Sequence, residues 1–232
     1  MYIGIIIFSL ITFMLLFLSS KLSQNLKLID IPNSRKIHKE PVPFIGGIAI
    51  AVAYLFAIEL IDIDNENLNL ILSIGFLLSL VGFIDDKFDL NVGGKLSLQI
   101  LPIFYLIIFQ NLYLNDLGEY NNFKLELGYF KVPFTLLCIL LLINAFNYID
   151  GLDGTLSFLT ISTLSILYFL NSDQSLQLFY KMIIISLVIF LLFNFSLFKL
   201  PKIFLGDSGS LLLGFIIAFT LIEIANKNLV HP

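Results

Sequence analysis

A succession of apolar runs constrains this chain more than any other feature. They lie near 2–20, 44–61, 68–84, 96–114, 131–147, 156–170, 179–198 and 210–225. A transmembrane helix needs about 20 mostly apolar residues to cross the hydrocarbon layer. Most of the runs approach that length, and none shows the alternation of a half-buried strand. Composition forces the same reading, because 58% of the 232 residues are hydrophobic and only 13% are charged. A chain of this size has too little polar surface to cover so much apolar material in water. Lipid must therefore be the solvent for most of it. The first run lacks the basic start of a signal peptide, and further spans follow it closely. No internal repeat, low-complexity tract or long linker divides the chain. The expectation is an all-α polytopic membrane protein with about eight transmembrane helices, forming a single domain over 1–232.

Basic residues set the orientation, since Lys and Arg accumulate in cytoplasmic loops. With the N-terminus outside, the inner loops hold Lys21, Lys27, Arg35, Lys36, Lys39, Lys87, Lys95, Lys199 and Lys202. The outer loops and span ends hold Lys124, Lys131, Lys181 and Lys227. The bias of nine to four favours N-out. With that parity, four polar clusters, at 21–43, 85–95, 148–155 and 199–209, all face one side of the membrane.

Each cluster has a bland reading beside a chemical one. In the first, Pro32, Pro41 and Pro43 impose an extended path, and Arg35, Lys36 and His38 offer phosphate contacts. Gly46 and Gly47 permit close approach of a backbone or ligand; alternatively they form a small-residue helix contact behind an ordinary basic loop. The second places Asp85 and Asp86 at the end of an apolar helix, where carboxylates are expensive near lipid. Asp85 and Asp89 share a helical face, suited to a divalent cation or to a cationic side chain. The bland alternative is a helix end solvated by water. In the third, Asn144, Asn147 and Asp150 follow one helical face, and two Asp-Gly steps, at Asp150 and Asp153, end the helix in a turn. These amide and acid oxygens suit Mg²⁺ or sugar hydroxyls, and the alternative is a polar cap. The fourth, Gly206-Asp207-Ser208-Gly209-Ser210, opens an apolar helix. It reads as a phosphate seat with Asp207 holding a metal, or as an N-cap. Asn194 ends the preceding span nearby.

Other classes are excluded. A net charge of −4 argues against nucleic acid. Cys138 is the only cysteine, so no internal disulfide forms. His38 and His231 are the only histidines and fall on opposite faces, against a zinc site. No nucleophile triad or Walker loop stands out.

The stretches DIPNSRKIHKEPVPFIGG (30–47), GFIDDKFDL (82–90), NAFNYIDGLDG (144–154) and FLGDSGSLLLG (204–214) occur in this order. They resemble the successive motifs of the polyprenyl-phosphate N-acetylhexosamine-1-phosphate transferases, from about residue 28 to 232. The likeness is greatest to the bacterial undecaprenyl-phosphate GlcNAc-1-phosphate transferases, and phospho-N-acetylmuramoyl-pentapeptide transferase is more distant. The resemblance implies transfer of a sugar 1-phosphate, GlcNAc-1-phosphate above others, from a UDP-N-acetylhexosamine to undecaprenyl phosphate with release of UMP. This would be the first membrane step of a cell-envelope polysaccharide such as lipopolysaccharide or teichoic acid. It implies Mg²⁺, with Mn²⁺ as a substitute, and a cytoplasmic active site in the bacterial inner membrane; homodimerisation stays open.

The resemblance also implies roles. Asp207 matches the metal-binding aspartate and Asn147 a second metal contact. Asp85 and Asp86 match the paired aspartates at the reacting phosphates, and Asp150 and Asp153 lie near the active centre. Asn194 matches a uridine-binding position, and Asn144 joins the substrate-binding set. Arg35, His38, Gly46 and Gly47 touch the donor or shape its site. One departure matters. Family members continue past a stretch like Leu229–Pro232 with further spans and a His-rich inner loop. The resemblance therefore implies a chain cut short at its C-terminus, with little or no activity as it stands. The rival readings are a non-catalytic remnant and a transporter with a polar inner vestibule. The Asp-Gly-Arg signature of the CDP-alcohol phosphotransferases is absent.

Overall fold

The computed structural model describes residues 2–26, 28–31, 40–61, 63–120 and 123–226. Arg35 and His38 lie outside the described residues, as does His231. Eight α-helices form among the described residues, one for each apolar run. They are α1 (Tyr2–Leu26), α2 (Gly46–Leu60), α3 (Glu66–Phe88), α4 (Val92–Phe109), α5 (Lys131–Ile149), α6 (Thr155–Leu170), α7 (Gln174–Asn194) and α8 (Gly206–Asn226). Six are long and apolar enough to cross a membrane, whereas α2 and α6, at 15 and 16 residues, are shorter. The all-α polytopic architecture stands.

Local chemistry explains several boundaries. Asn65 and Asp173 each accept two backbone N–H bonds at the starts of α3 and α7, and Asn91 accepts from the Gly94 N–H at the start of α4. The cluster expected as a loop over 85–95 is mostly helical. Asp85 and Asp86 lie inside the last turn of α3, and only a three-residue turn separates α3 from α4. Asp89 makes that turn in a left-handed conformation (φ 53°). Two small antiparallel hairpins occupy linkers: β1 (Ile29–Asp30) with β2 (Val42–Pro43), and β3 (Asp116–Tyr120) with β4 (Phe123–Glu126).

The core centres on α8, whose most apolar window is 89% buried, against 22% for α1, α4 and α5. It packs against α3, α5 and α2. Lipid tails give apolar helices no reason to associate, so close backbone approach must hold them. A Cβ on Gly47 of α2 would sit 2.0 Å from the Gly209 nitrogen of α8, and one on Gly82 of α3 would sit 2.4 Å from the Asp207 carbonyl oxygen. These two contacts bring α2 and α3 against the first turn of α8, so the acidic residues of α3 and α8 meet at one end of the bundle.

Candidate active site

A cleft of about 740 Å³ opens at that end, and residues of all four polar clusters line it. Asp30 comes from the first, Asp85, Asp86 and Asp89 from the second, Asp150 and Asp153 from the third, and Lys202 and Asp207 from the fourth. Consecutive helices deliver alternate ends to it, as an antiparallel bundle must. The juxtaposition expected from loop parity is present in the fold.

Asp207 stands in the first turn of α8, not before it, so it is no simple cap. Both of its oxygens carry donors: Oδ1 accepts from Asn147 Nδ2 at 2.8 Å, and Oδ2 accepts from Lys95 Nζ at 2.6 Å. The same ammonium lies 2.6 Å from Asp85 Oδ2, and Asp85 Oδ1 accepts the Leu90 N–H at 2.9 Å. Asp86 Oδ2 accepts the Ser208 N–H at 3.4 Å. It would also lie 2.7 Å from a Cβ on Gly206, whose φ of 74° already favours glycine. The two aspartates of the pair therefore diverge. Asp85 reaches the Lys95 ammonium of α4 and the Asp207 carboxyl, whereas Asp86 reaches the backbone at the start of α8.

Asp150 follows the last turn of α5. Burial, then the Asp207 and Asp153 carboxylates, push its carboxyl up to about 7. Asp153 is more open and pairs with Lys202 Nζ at 2.5 Å. Asn194, at the end of α7, is 3% exposed. Its Nδ2 donates to the Ile203 carbonyl at 2.9 Å, while its Oδ1 is buried with no protein partner. Asn194 lines the cleft with Phe190 and Phe204.

Other expected residues sit elsewhere. Asn147 is not in the cleft wall. Its amide donates to Asp207 and to Ser210 Oγ (2.9 Å), so it holds the aspartate in place instead of facing the cavity. Asn144, one turn earlier on α5, donates to the Leu140 carbonyl at 2.7 Å and to Gln99 Oε1 at 3.4 Å, also outside the wall. Gly46 and Gly47 do not line it either. Their N–H groups donate to the Phe204 and Leu205 carbonyls at 3.0 and 2.8 Å and fix the strand of chain that enters α8. Sequence reasoning missed Lys95, which it counted only as an inner-loop charge. Its side chain is 15% exposed between two aspartates, and the signal available was an unpaired lysine near the acidic pair.

Among the described residues no three His, Cys, Asp or Glu side chains converge as a ready-made metal cage. The cleft does hold a surplus of negative charge. Seven aspartates line it, with Lys202 the only basic residue in the described part of its wall.

Residues 68–225 match the model of glycosyl transferase family 4. An undecaprenyl-phosphate alpha-N-acetylglucosaminyl 1-phosphate transferase of Escherichia coli O157:H7 is 30% identical over 228 residues, 96% of this chain and 62% of the relative. The protein of that name in Yersinia pestis is 32% identical over 222 residues, 94% of this chain and 60% of its own length. A probable undecaprenyl-phosphate N-acetylglucosaminyl 1-phosphate transferase of Bacillus subtilis (strain 168) is 32% identical over 196 residues, 82% of this chain and 53% of the relative. The chain thus spans about three fifths of the length of the first two relatives. The family match runs from the first turn of α3 to the end of α8 and includes three of the four polar clusters; the chain belongs to glycosyl transferase family 4.

Proposed function

We propose that this chain transfers GlcNAc-1-phosphate from UDP-GlcNAc to undecaprenyl phosphate, releasing UMP, with Mg²⁺ as cofactor. One observation carries the reading: four separated clusters line one cleft whose wall holds seven aspartates, five of them at the ends of α3, α5 and α8. An anionic lipid phosphate and an anionic nucleotide sugar cannot share such a cleft without added positive charge. Mg²⁺ is commonly held by one or two carboxylates together with substrate phosphates and water, not by an all-protein cage. That fits an acidic wall in which no three carboxylates converge. Asp207, braced by Asn147, is the residue to hold the ion, and Asp86 beside it is the second candidate. A bound divalent cation would supply charge neutralisation for the two phosphates.

The chain's own residues then position the reactants. Asn194 Oδ1, an acceptor without a partner, suits the N3–H of uracil, and the rings of Phe190 and Phe204 border the same part of the cleft. An oxygen of the lipid phosphate bonds to the sugar-linked phosphorus, the bond from that phosphorus to the UMP oxygen breaks, and UMP leaves with the electron pair. No protein base is required, because a phosphate monoester with a second pKa of about 6 is mostly dianionic at pH 7. Catalysis is then chiefly positioning and charge stabilisation. The reading includes an N-out orientation with the cleft on the cytoplasmic face of a bacterial inner membrane.

The test is an assay of UDP-GlcNAc binding and of UMP release by the purified chain in detergent with Mg²⁺ and undecaprenyl phosphate. Nucleotide-sugar binding by the chain is expected, together with lipid-dependent release that appears when the C-terminal part of a relative is appended and is lost in Asp207→Asn. Failure to bind UDP-GlcNAc at all would sink the reading. Orientation is read separately, by labelling Ser34→Cys in a Cys138→Ser background. Labelling only after the inner face is exposed is expected, and ready labelling from outside contradicts N-out.

A further inference from the structure

We propose that Lys95 is a resident counter-ion that competes with the divalent cation for Asp207 and is displaced from it when the metal binds. The inference rests on the reading of Asp207 as the metal residue. Its basis is the geometry of one ammonium group. Lys95 Nζ sits 2.6 Å from Asp207 Oδ2 and 2.6 Å from Asp85 Oδ2, and the side chain is 15% exposed. Asp207 is the shared point of two helices and a lysine. Asn147 donates to Oδ1 and Lys95 to Oδ2, so a metal that approaches Asp207 on its Oδ2 side meets the ammonium.

The alternatives to displacement are costly. A metal on Oδ2 with Lys95 unmoved would place two cations on one oxygen, a few ångströms apart in a partly desolvated site. Movement of Lys95 away from both carboxylates would leave Asp85 beside Asp207 with nothing between them. The inexpensive rearrangement keeps Lys95 on Asp85 and releases only its bond to Asp207. Asp85 is built for that role. Its other oxygen is fixed by the Leu90 N–H in the turn between α3 and α4, so it does not follow the lysine. The freed face of the ammonium then points into a cleft that is otherwise acidic, where the donor phosphates are its only anionic partners besides the wall. Before metal arrives, the same ammonium prevents Asp85 and Asp207 from repelling each other, which lets the ends of α3 and α8 pack through Gly82.

The consequence runs against the usual effect of altering a polar residue in an active site: removal of Lys95 should tighten metal binding. The measurement is Mn²⁺ binding to the full chain in detergent, followed by electron paramagnetic resonance, for wild type, Lys95→Met, Lys95→Arg and Asp207→Asn. Lys95→Met keeps the apolar stem and removes the charge, and its Mn²⁺ affinity should rise on the order of tenfold or more. Lys95→Arg keeps the charge and adds a second hydrogen-bonding arm, so its Mn²⁺ affinity should fall below wild type. The arginine variant retains a cation between the aspartates, so it reports even where the methionine variant does not fold. Equal or weaker binding in Lys95→Met, or undiminished binding in Lys95→Arg, overturns the displacement. Mn²⁺ binding insensitive to Asp207→Asn in every background overturns the metal assignment itself, and the displacement with it. Tighter binding in Lys95→Met that Asp207→Asn abolishes supports both.

Discussion

The α3–α8 pair carries acidic residues at both of its ends, and the two ends solve the burial of charge in opposite ways. At the far end Glu223 of α8 is 3% exposed and accepts from Asn65 Nδ2 at 3.2 Å and Asn67 Nδ2 at 3.1 Å, both at the start of α3. Two amide donors reach its carboxylate and helices cover it, so its oxygens are hydrogen-bonded within the bundle. At the near end Asp85 and Asp86 of α3 approach the first turn of α8 at separate points around Asp207, and in the described wall of the cleft cations are too few for them. A buried carboxylate with its hydrogen bonds made is a structural device. A group of carboxylates left short of positive charge beside a cavity of about 740 Å³ is poised for a ligand that brings it. Residue type does not separate the two ends. Surplus charge and open space do.

Neutralising one carboxylate at each end should give the largest effects. Asp207→Asn should lower UMP release by at least 10²–10³, the usual cost of removing one preorganised charge contact. The helices should persist, because Asn147, Ser210 and the glycine contacts remain. Near-normal turnover in Asp207→Asn would make Asp207 a structural acid like Glu223. The converse change, Glu223→Ala, leaves two amide groups without their acceptor and should cost about 1–3 kcal/mol for the buried polar groups exposed in this way. It should lower the apparent melting temperature in detergent while turnover per folded molecule stays unchanged. Loss of turnover without loss of stability would show that the far end takes part in the chemistry.

A subtler test uses pH. The Asp150 carboxyl is raised from 3.8 to about 7, first by burial and then by Asp207 and Asp153. A raised carboxyl binds its proton more tightly in the folded chain than in the unfolded one. The contribution therefore stabilises the fold at low pH and is lost as pH rises from about 4 to about 7. Without divalent cations, the apparent melting temperature of wild type should carry a downward component over that range which Asp150→Asn lacks. Parallel profiles for the two proteins would mean that Asp150 is as ordinary in its titration as an exposed aspartate.

The sequence revealed much of this because membrane helices advertise themselves through length and hydropathy, and loop parity follows from counting them. All eight runs became helices, and four clusters foreseen on one face do line one cleft. What stayed hidden depends on distances between helices. Lys95 lies 112 residues from Asp207, and its closeness in sequence to the acidic pair does not reveal that this third carboxylate shares it. The same applies to Asn147, read as a metal contact but placed as a donor to Asp207, and to Gly46 and Gly47, which hold the entry to α8 and do not touch the cavity. The β3–β4 hairpin lies in a linker, and its one alternating stretch, Phe123 to Leu127, is too short to stand out among the long helical runs.

That hairpin supplies the smallest expected effect and the control for the largest claim. Lys124 pairs with Asp116 at 3.0 Å, and the two side chains are 55% and 29% exposed. The ion pair holds the Asp116 carboxyl below the ordinary aspartate range. Lys95 makes the same kind of pair with 15% and 10% exposure toward Asp85. Water and salt screen the outer pair, and the entropy of fixing a long side chain offsets what attraction remains. Lys124→Ala should therefore leave UMP release unchanged and move the apparent melting temperature by no more than about 2 °C, within the range for surface substitutions. Raising the salt concentration should erase even that difference. At the inner pair, Lys95→Met should alter Mn²⁺ affinity at any salt concentration that leaves the protein folded, because its charges are shielded from solvent. If Lys124→Ala destabilises the chain as much as Lys95→Met does, burial is not what distinguishes the two lysines, and the special position of Lys95 in the cleft loses its physical basis.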